Sequence, residues 1–324
     1  MRLGFSGGVL GRAGLRSHDS RRWQNRPHLS VSLACLRDIF LYLDSQQIKM
    51  YRMASDLAPY LTHPDLPQFH HQVEESQAEL AAIGALARRL SLRLSFHAPA
   101  HVLLNTPDPD RLRLSVDALA GLTAILEGMG LGPEAVIILH VGGHYQDRAG
   151  ALTAFVRGFE RLPAAVQQRI VLEHDDRRFG VSDVAWVHRR TGVRLAFDYL
   201  HHQLYNPDAI PAAEALAICL ATWSPGQTPK IHFSTPATEM VRDRKGVPHP
   251  PRLNRHSHYI NPFDFIAFLR SLPKVRDFDV MLEAKARDLA LLQLRRHLVR
   301  YAPDLIPQFG LIAPPKLPLL HKTA

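Results

Sequence analysis

Acidic and imidazole side chains recur at the ends of short apolar runs in this sequence. Six such runs each end in a residue of a type that binds metal ions: His97, His140, Glu173, Asp198, His232 and Glu283. A single His or Asp after a strand is most often a cap or a turn residue. Carboxylates can bridge two cations and imidazoles can take terminal positions, so the repetition predicts a site for several borderline cations.

These residues can meet only if the runs are neighbouring strands of one sheet. Continuous apolar runs are typical of buried parallel strands, and segments with helical spacing, such as residues 33–47, lie between them. Eight strand–helix pairs predict a closed (β/α)₈ barrel, the TIM barrel of the α/β class, as one domain over residues 1–302. The carboxyl ends of barrel strands form the active-site face, where we expect long loops. Residues 303–324 are predicted to be a Pro-rich C-terminal tail.

Composition and charge narrow the class of protein further. The chain has 324 residues, 46% of them hydrophobic, and only 2 cysteines, which excludes a disulfide framework and suits a reducing cytosol. Its N-terminus lacks a signal peptide, and its longest apolar run is too short to span a membrane. We therefore expect a cytoplasmic monomer with no obligate protein partner. A net charge of +9 favours a polyanionic partner such as nucleic acid.

Two basic loops support that partner class. Residues 234–260 form an insertion far longer than typical βα loops, which favours a functional role, and they end in the segment that contains His256. Residues 6–27 are rich in Gly and Arg. Each loop is either a solvated excursion or a set of phosphate contacts.

The ordered set of motifs resembles the UV damage endonucleases. The motifs are SFHAP around His97, HVGG from His140, LEHD ending at Asp175, DYLHH from Asp198, KIH ending at His232 and LEAK ending at Lys285. The resemblance extends over nearly the whole chain. It implies a TIM barrel shared with the endonuclease IV group, and three clustered cations that hydrolyse a phosphodiester.

The resemblance also implies a role for each candidate ligand. Glu173 would bridge two cations, of which one is held by His97 and His140 and the other by Asp198, His232 and Glu283, while His201 and His256 would hold the third. Lys230 matches a lysine that can be carboxylated in the family. We therefore expect Glu173, Lys230 and His232 to be the catalytic residues. Mn²⁺ is the metal that the resemblance favours, although these ligands suit Zn²⁺ almost equally.

Phosphodiester hydrolysis sets chemical requirements that such a cluster meets. The site must neutralise the phosphate, ionise a water and stabilise the leaving oxygen, and clustered divalent metals do all three. Our hypothesis is in-line attack on the phosphate immediately 5′ to a UV photoproduct in double-stranded DNA. This cut would leave a 3′-hydroxyl and a 5′-phosphate.

The sequence departs from the family pattern where the family contacts damage. The family usually has Pro-Gly-Gln-Tyr after the third-strand histidine, whereas this chain has Ala98-Pro99-Ala100-His101. The residues we predict to contact DNA or the lesion are Phe5, Arg52, His63, Ala100, His101, Tyr145, Arg242, Arg244, Lys245 and Arg255. We expect hydrolysis to be retained and lesion recognition to be weakened or redirected.

Three other functions compete with this hypothesis. An abasic-site endonuclease of the endonuclease IV type would use the same metal cluster. A sugar isomerase or epimerase of the xylose isomerase-like barrels would need fewer metals and no basic mouth. A module that binds DNA without cutting would be expected to lack metal ligands, but every expected ligand is present.

Overall fold

The computed structural model describes residues 1–145, 147–273 and 276–310. Eight parallel strands form a nearly closed barrel, which confirms the predicted fold. They are β1 (Leu3–Ser6), β2 (Met50–Arg52), β3 (Arg93–His97), β4 (Val136–His140), β5 (Ile170–Glu173), β6 (Arg194–Ala196), β7 (Lys230–Phe233) and β10 (Asp279–Leu282). Their order around the barrel is β6-β5-β4-β3-β2-β1-β10-β7. Between β6 and β7 the ring is closed by a parallel bridge from Asp198 to His232.

Helices follow the strands and pack outside them. They are α1 (Leu29–Ser45), α2 (Gln72–Glu75), α3 (Gln77–Arg89), α4 (Pro109–Gly128), α5 (Arg148–Glu160), α6 (Ala164–Gln167), α7 (Val181–Thr191), α8 (Tyr199–Leu204), α9 (Ala212–Ala221), α10 (Pro262–Ser271) and α11 (Arg287–Tyr301). The segment between β4 and β5 is divided into α5 and α6, because Pro163 lacks the N–H that a continuous helix needs. The short helix α8 was not predicted.

Alternate residues of each strand face the barrel interior, as the two-residue period of a strand requires. On β3 the inward residues are Arg93, Ser95 and His97, so the barrel contains stacked layers of side chains. Polar side chains form the lowest layer, where Arg93 meets Asp279. Apolar residues such as Ile138 and Val171 fill much of the middle. The candidate metal ligands form the top layer.

A buried ion pair between Arg93 and Asp279, here called the floor pair, lies at the bottom of the barrel. Arg93 donates to Asp279 Oδ2 at 2.7 Å, and the backbone N–H of Arg2 donates to Asp279 Oδ1 at 2.6 Å. Arg93 also donates to the carbonyl oxygen of Thr228 at 2.8 Å. The two Arg93 bonds join β3 to β10 and to the start of β7, which are not adjacent in the barrel, so they hold the barrel together at the end opposite the loops.

Two segments outside the barrel carry further structure. The insertion between β7 and α10 folds into an exposed hairpin of β8 (Val241–Arg242) and β9 (Pro248–His249). The predicted tail begins with a 3-10 helix, Pro303–Phe309, which buries Leu305, Ile306 and Phe309. Residues 311–324 of the tail lie outside the described residues, and the domain boundary stays a prediction. None of the helices in the described part of the chain is long and apolar enough to cross a membrane.

Removing one partner of the floor pair should destabilise the barrel strongly. The substitution Asp279→Ala leaves the buried Arg93 cation without its carboxylate, and a broken buried pair costs about 3–5 kcal/mol. Asp304→Ala is the matched control, because Asp304 pairs with Arg270 at 2.9 Å on the surface, where such pairs contribute about 0–1 kcal/mol. Urea unfolding followed by circular dichroism measures both free energies. Equal losses would contradict a structural role for the floor pair.

Candidate metal centre

Glu173 lies at the centre of a cluster of imidazoles. It is the last residue of β5 and is 1% exposed. Its Oε2 atom lies 3.4 Å from His97 Nε2 and 3.7 Å from His140 Nε2. Its Oε1 atom lies 3.0 Å from His232 Nδ1 and 3.3 Å from His201 Nδ1. One carboxylate therefore faces two pairs of histidines: His97, His140 and His232 lie on three different strands, and His201 lies on α8.

Two groups of potential ligands share this carboxylate. The first group consists of His97, His140 and Glu173, and the second consists of Glu173, Asp198 and His232. Within each group the ligand atoms all lie within 4.8 Å of one another. Shared use of Glu173 is the arrangement that a bridging carboxylate requires, and the mix of carboxylate and imidazole donors suits divalent transition metals.

Glu283 extends the second group. Its Oε1 atom lies 3.6 Å from His232 Nδ1, and its Oε2 atom lies 3.6 Å from His256 Nε2. The long insertion thus brings His256 to the mouth of the barrel, where Pro236 and His256 form an antiparallel bridge. Arg52 donates to Glu283 Oε1. The guanidinium of Arg52 is thus paired with a candidate ligand inside the mouth, and its contact with DNA stays a prediction.

Backbone groups orient several of these rings and carboxylates. The Nδ1 atom of His97 lies 2.8 Å from the carbonyl oxygen of Ala98, which turns Nε2 towards Glu173. Asp198 caps α8, and its Oδ1 accepts the backbone N–H of His201 at 2.8 Å. The unpredicted helix α8 is thus the element that places His201 one turn after Asp198.

The electrostatics of the cluster favour the ionised form of Glu173 and Glu283, whereas burial raises the pKa of Asp198. Burial raises the pKa of Glu173, but His232 and His140 lower it more, and the net pKa lies well below its ordinary value. Arg52 and His232 likewise overcome burial and hold the pKa of Glu283 well below its usual range. Burial lowers the pKa of His201, yet the carboxylates of Asp198 and Glu173 raise it to about 11.

Unpaired buried atoms show that the protein alone does not satisfy the cluster. Glu173 Oε2, Asp198 Oδ2 and His232 Nε2 are buried and have no hydrogen-bond partner. Unpaired buried polar atoms are rare, and burying an ionised carboxylate is costly unless a cation compensates it. Divalent cations held by these donors would supply the missing partners, so the residues present fit a metal centre.

Lys230 lies below the cluster inside the barrel. Its side chain is fully buried and Nζ donates to Ser95 Oγ at 3.0 Å. Burial, and then the positive charges of Arg52 and Arg93, lower the pKa of Lys230 well below its ordinary value. The Lys230 amine therefore loses its proton more readily than an ordinary lysine does.

Apart from Arg52, the residues predicted to contact DNA fall in three environments. Phe5 is fully buried and meets the ring of Tyr51 edge-on, with 5.4 Å between centroids, so the prediction that Phe5 contacts a lesion is wrong. His63 and His101 line one cleft between the β2–α2 and β3–α4 loops. The other predicted contacts are exposed: Ala100, Tyr145, Arg242, Arg244, Lys245 and Arg255.

Sequence reasoning missed two supporting residues. Ser95 accepts the hydrogen bond of Lys230, and it lies two residues before His97 on the same face of β3. Strand alternation could have identified it. His174 is fully buried, its Nε2 accepts the backbone N–H of Asp198 at 3.0 Å, and its carbonyl oxygen meets His201 Nδ1 at 3.0 Å. Only the packed structure shows that His174 supports two ligands.

Comparison with known proteins gives one consistent family. A family model described as UV-endonuclease UvdE matches residues 20–306. The UV DNA damage endonuclease of Bacillus velezensis is 33% identical over 263 residues, which cover 79% of this chain and 77% of that protein. The corresponding protein of Halalkalibacterium halodurans is 31% identical over 270 residues, covering 82% and 80%.

Solved structures agree with this result. The crystal structure of SacUVDE has a TM-score of 0.78 and 26% identity, and the match covers 93% of this chain and 98% of that one. The apo structure of the 3-keto-D-glucoside 4-epimerase YcjR from E. coli has a TM-score of 0.54 and 11% identity, covering 91% and 99%. This second likeness shows the barrel fold alone.

Metal binding should release protons from the centre. The pKa of about 11 keeps His201 protonated near neutral pH in the metal-free protein, whereas metals bind neutral imidazole. Mn²⁺ affinity should therefore rise as the pH rises. Calorimetry in buffers of different ionisation enthalpy counts the protons, and His201→Gln should release about one proton fewer than the wild type.

The matched control for this count is His188→Gln, because His188 lies on α7 with its Nδ1 2.8 Å from the carbonyl oxygen of Val193. That variant should release as many protons as the wild type. Identical counts for the His201 and His188 variants would contradict a role for His201 as a ligand.

Proposed function

The chain belongs to the UV-endonuclease UvdE family, and from that premise we propose that it nicks double-stranded DNA immediately 5′ to UV photoproducts. The family makes it an endonuclease, a hydrolase that acts on DNA, as the sequence motifs predicted. The cut would leave a 3′-hydroxyl and a 5′-phosphate. The observation that carries this proposal is the buried Glu173 carboxylate, which two groups of metal-ligating side chains share at the barrel mouth.

Three cations would be held by residues already described. His97 and His140 would hold the first, and Asp198, His232 and Glu283 the second, with Glu173 common to both. His201 and His256 would hold the third. When bound, the metals supply positive charge for the phosphate and for the leaving oxygen, and they lower the pKa of a water. We propose Mn²⁺ as the cation, which nitrogen and oxygen donors accept as readily as Zn²⁺.

The protein itself positions these charges and the substrate. Glu173 and Glu283 stay ionised at neutral pH because their pKa values are held low. The hairpin of β8 and β9 exposes Arg242, Arg244 and Lys245, which would pair with phosphates of the duplex. The barrel wall excludes water from Asp198 and His232, which are both fully buried, and this strengthens their interaction with a cation.

Lys230 would add a negative charge to the centre. Its neutral amine nitrogen can attack the carbon of CO₂, and the amine proton then leaves to solvent. The resulting carbamate would be an anion inside the barrel, close to the second cation. The lowered pKa and the fully buried side chain support this proposal.

The cleft that contains His63 and His101 would receive the damaged part of the duplex. It has a volume of about 520 Å³, and Tyr60, Pro99 and Arg111 also contribute to its walls. Ala100 and His101 are exposed at its edge, and they offer a smaller stacking surface than the glutamine and tyrosine usual in the family. This difference favours one second candidate function, cleavage at abasic sites, where no base needs to be probed by stacking.

Glu173→Gln should abolish nicking of damaged duplex DNA. The amide keeps the shape of the side chain but removes the charge that two cations share. We expect a loss at least as large as the roughly 10²–10³-fold cost of removing one electrostatic stabiliser of a transition state. The measurement is single-turnover nicking of end-labelled duplex with Mn²⁺ present.

Glu160→Gln is the matched control, because Glu160 is exposed at the end of α5 that points away from the mouth. It should cut at the wild-type rate. If the Glu173 variant still nicked the duplex with its metal content unchanged, the proposed role of Glu173 would be contradicted.

A further inference from the structure

A cleft lies at the end of the barrel opposite the metal centre, where the chain enters the strands. It has a volume of about 400 Å³, and its walls come from the segments that lead into β4, β5, β6 and β7. Its lining includes the polar side chains of Gln167, Gln168, Arg194, Ser224 and Gln227. None of the described residues in this lining is acidic. The cleft is therefore polar, and the one charge that its lining carries is positive.

Arg194 is a buried cation in the wall of this cleft. It is the first residue of β6 and is only 8% exposed. Its guanidinium donates to the carbonyl oxygens of Pro133, at 3.2 Å, and of Gln168. An arginine has more N–H donors than these two bonds use. Within the described part of the chain no carboxylate lies within ion-pair distance of Arg194, although a buried charge is costly unless it is paired.

Other arginines add to the positive charge around Arg194. Arg93 and Arg194 both lie over the ring of Trp223, with Cζ 5.9 Å and 4.8 Å from its centroid. Arg276 donates to the carbonyl oxygen of Trp223 at 2.7 Å. Burial, and then the charges of Arg93 and Arg169, lower the pKa of Arg194 to about 10. This end of the barrel thus concentrates cations that repel one another.

Helix ends offset only part of this charge. The helix α7 ends at Thr191 and α9 ends just before Thr222, and both residues line the cleft. The C-terminal end of a helix carries about half a negative charge, whereas each guanidinium carries a whole positive charge. The arginines therefore outweigh the helix ends, and the cleft keeps an excess of positive charge.

A second unpartnered group lies in the same cleft. Gln227 Oε1 is buried and has no hydrogen-bond partner among the described residues. Buried polar atoms without a partner are rare in folded proteins. The terminal amide of Gln227 is thus available to a ligand that enters the cleft beside Arg194.

We propose that this cleft binds a phosphate group, either as the free ion or as the monoester of a small molecule. The phosphate oxygens would accept charge-assisted hydrogen bonds from Arg194, and the amide of Gln227 would bond to the same ligand. The volume lies within the range of about 300–1,000 Å³ typical of ligand pockets, which leaves room for a sugar-sized group. The site lies at the far end of the barrel from the metal ligands and does not depend on the proposed function.

Calorimetric titration of the Mn²⁺-loaded protein with orthophosphate and with ribose 5-phosphate tests this proposal. Ser224→Glu places a carboxylate at the exposed edge of the cleft, where it would pair with Arg194 and repel the ligand. Ser224→Gln is the matched control, since it has nearly the same size and no charge. The Glu variant should bind phosphate about tenfold more weakly than the Gln variant, the loss expected for one charge-assisted hydrogen bond. Phosphate bound at the metal centre would add the same heat in both variants, so their difference isolates the cleft.

Arg194→Gln removes the cation itself and should weaken binding by at least as much. Its control is Arg189→Gln, because Arg189 is exposed in the last turn of α7, at the same end of the barrel, and does not line the cleft. That variant should bind phosphate as the wild type does. Circular dichroism checks that the Arg194 variant is folded, and the Ser224 pair tests the cleft without altering a buried residue.

The two ligands distinguish the two sources of phosphate. Tighter binding of ribose 5-phosphate would identify an ester as the ligand, and binding of orthophosphate that is at least as tight would identify the free ion. Equal affinity of the Ser224→Glu and Ser224→Gln proteins for both ligands would overturn the proposal. So would an Arg194→Gln protein that is folded and binds both ligands as tightly as the wild type.

Discussion

The structure depends on one buried carboxylate that several imidazoles surround. Glu173 is 1% exposed, and an ionised carboxylate in such a place is costly unless cations and hydrogen bonds compensate it. Four histidines from different segments lie within 3.7 Å of its oxygens. One of those oxygens, Oε2, still has no hydrogen-bond partner. The centre is therefore built for positive charge that the protein itself does not provide in full.

The barrel strands bring these groups together. Six candidate ligands face inward on a strand or follow it within two residues, whereas His201 lies on α8 and His256 lies in the long insertion. On the strands, the two-residue period puts supporting residues in the layers below. Ser95 supports Lys230 beneath His97, and Arg93 pairs with Asp279 beneath Glu283. A shift of one residue in any strand would turn its ligand towards the helices. The apolar layers and the floor pair, which fix the register, thus position the candidate metal ligands.

Features that are local in sequence could be predicted, and features that depend on distant contacts could not. The eight strands and the ligands at their ends follow from apolar runs and spacing, which are local. The prediction that Phe5 contacts a lesion was wrong because Phe5 alternates with Gly4 along β1, so its side chain packs in the core towards the helices. The partnership of Arg52 with Glu283 joins residues 231 positions apart, and no spacing rule indicates it.

A cutting assay on duplexes with defined lesions is the most direct test of the proposed endonuclease function. End-labelled duplexes carrying a single cyclobutane dimer, 6-4 photoproduct or abasic site, and an undamaged duplex, would be incubated with the wild-type protein and Mn²⁺. We expect a nick immediately 5′ to the photoproducts, with a 3′-hydroxyl end, and no cut in the undamaged duplex. Cutting at the abasic site alone would show that the protein hydrolyses the phosphodiester but recognises abasic sites rather than photoproducts. If no duplex were cut although metal was demonstrably bound, the proposed endonuclease function would be contradicted.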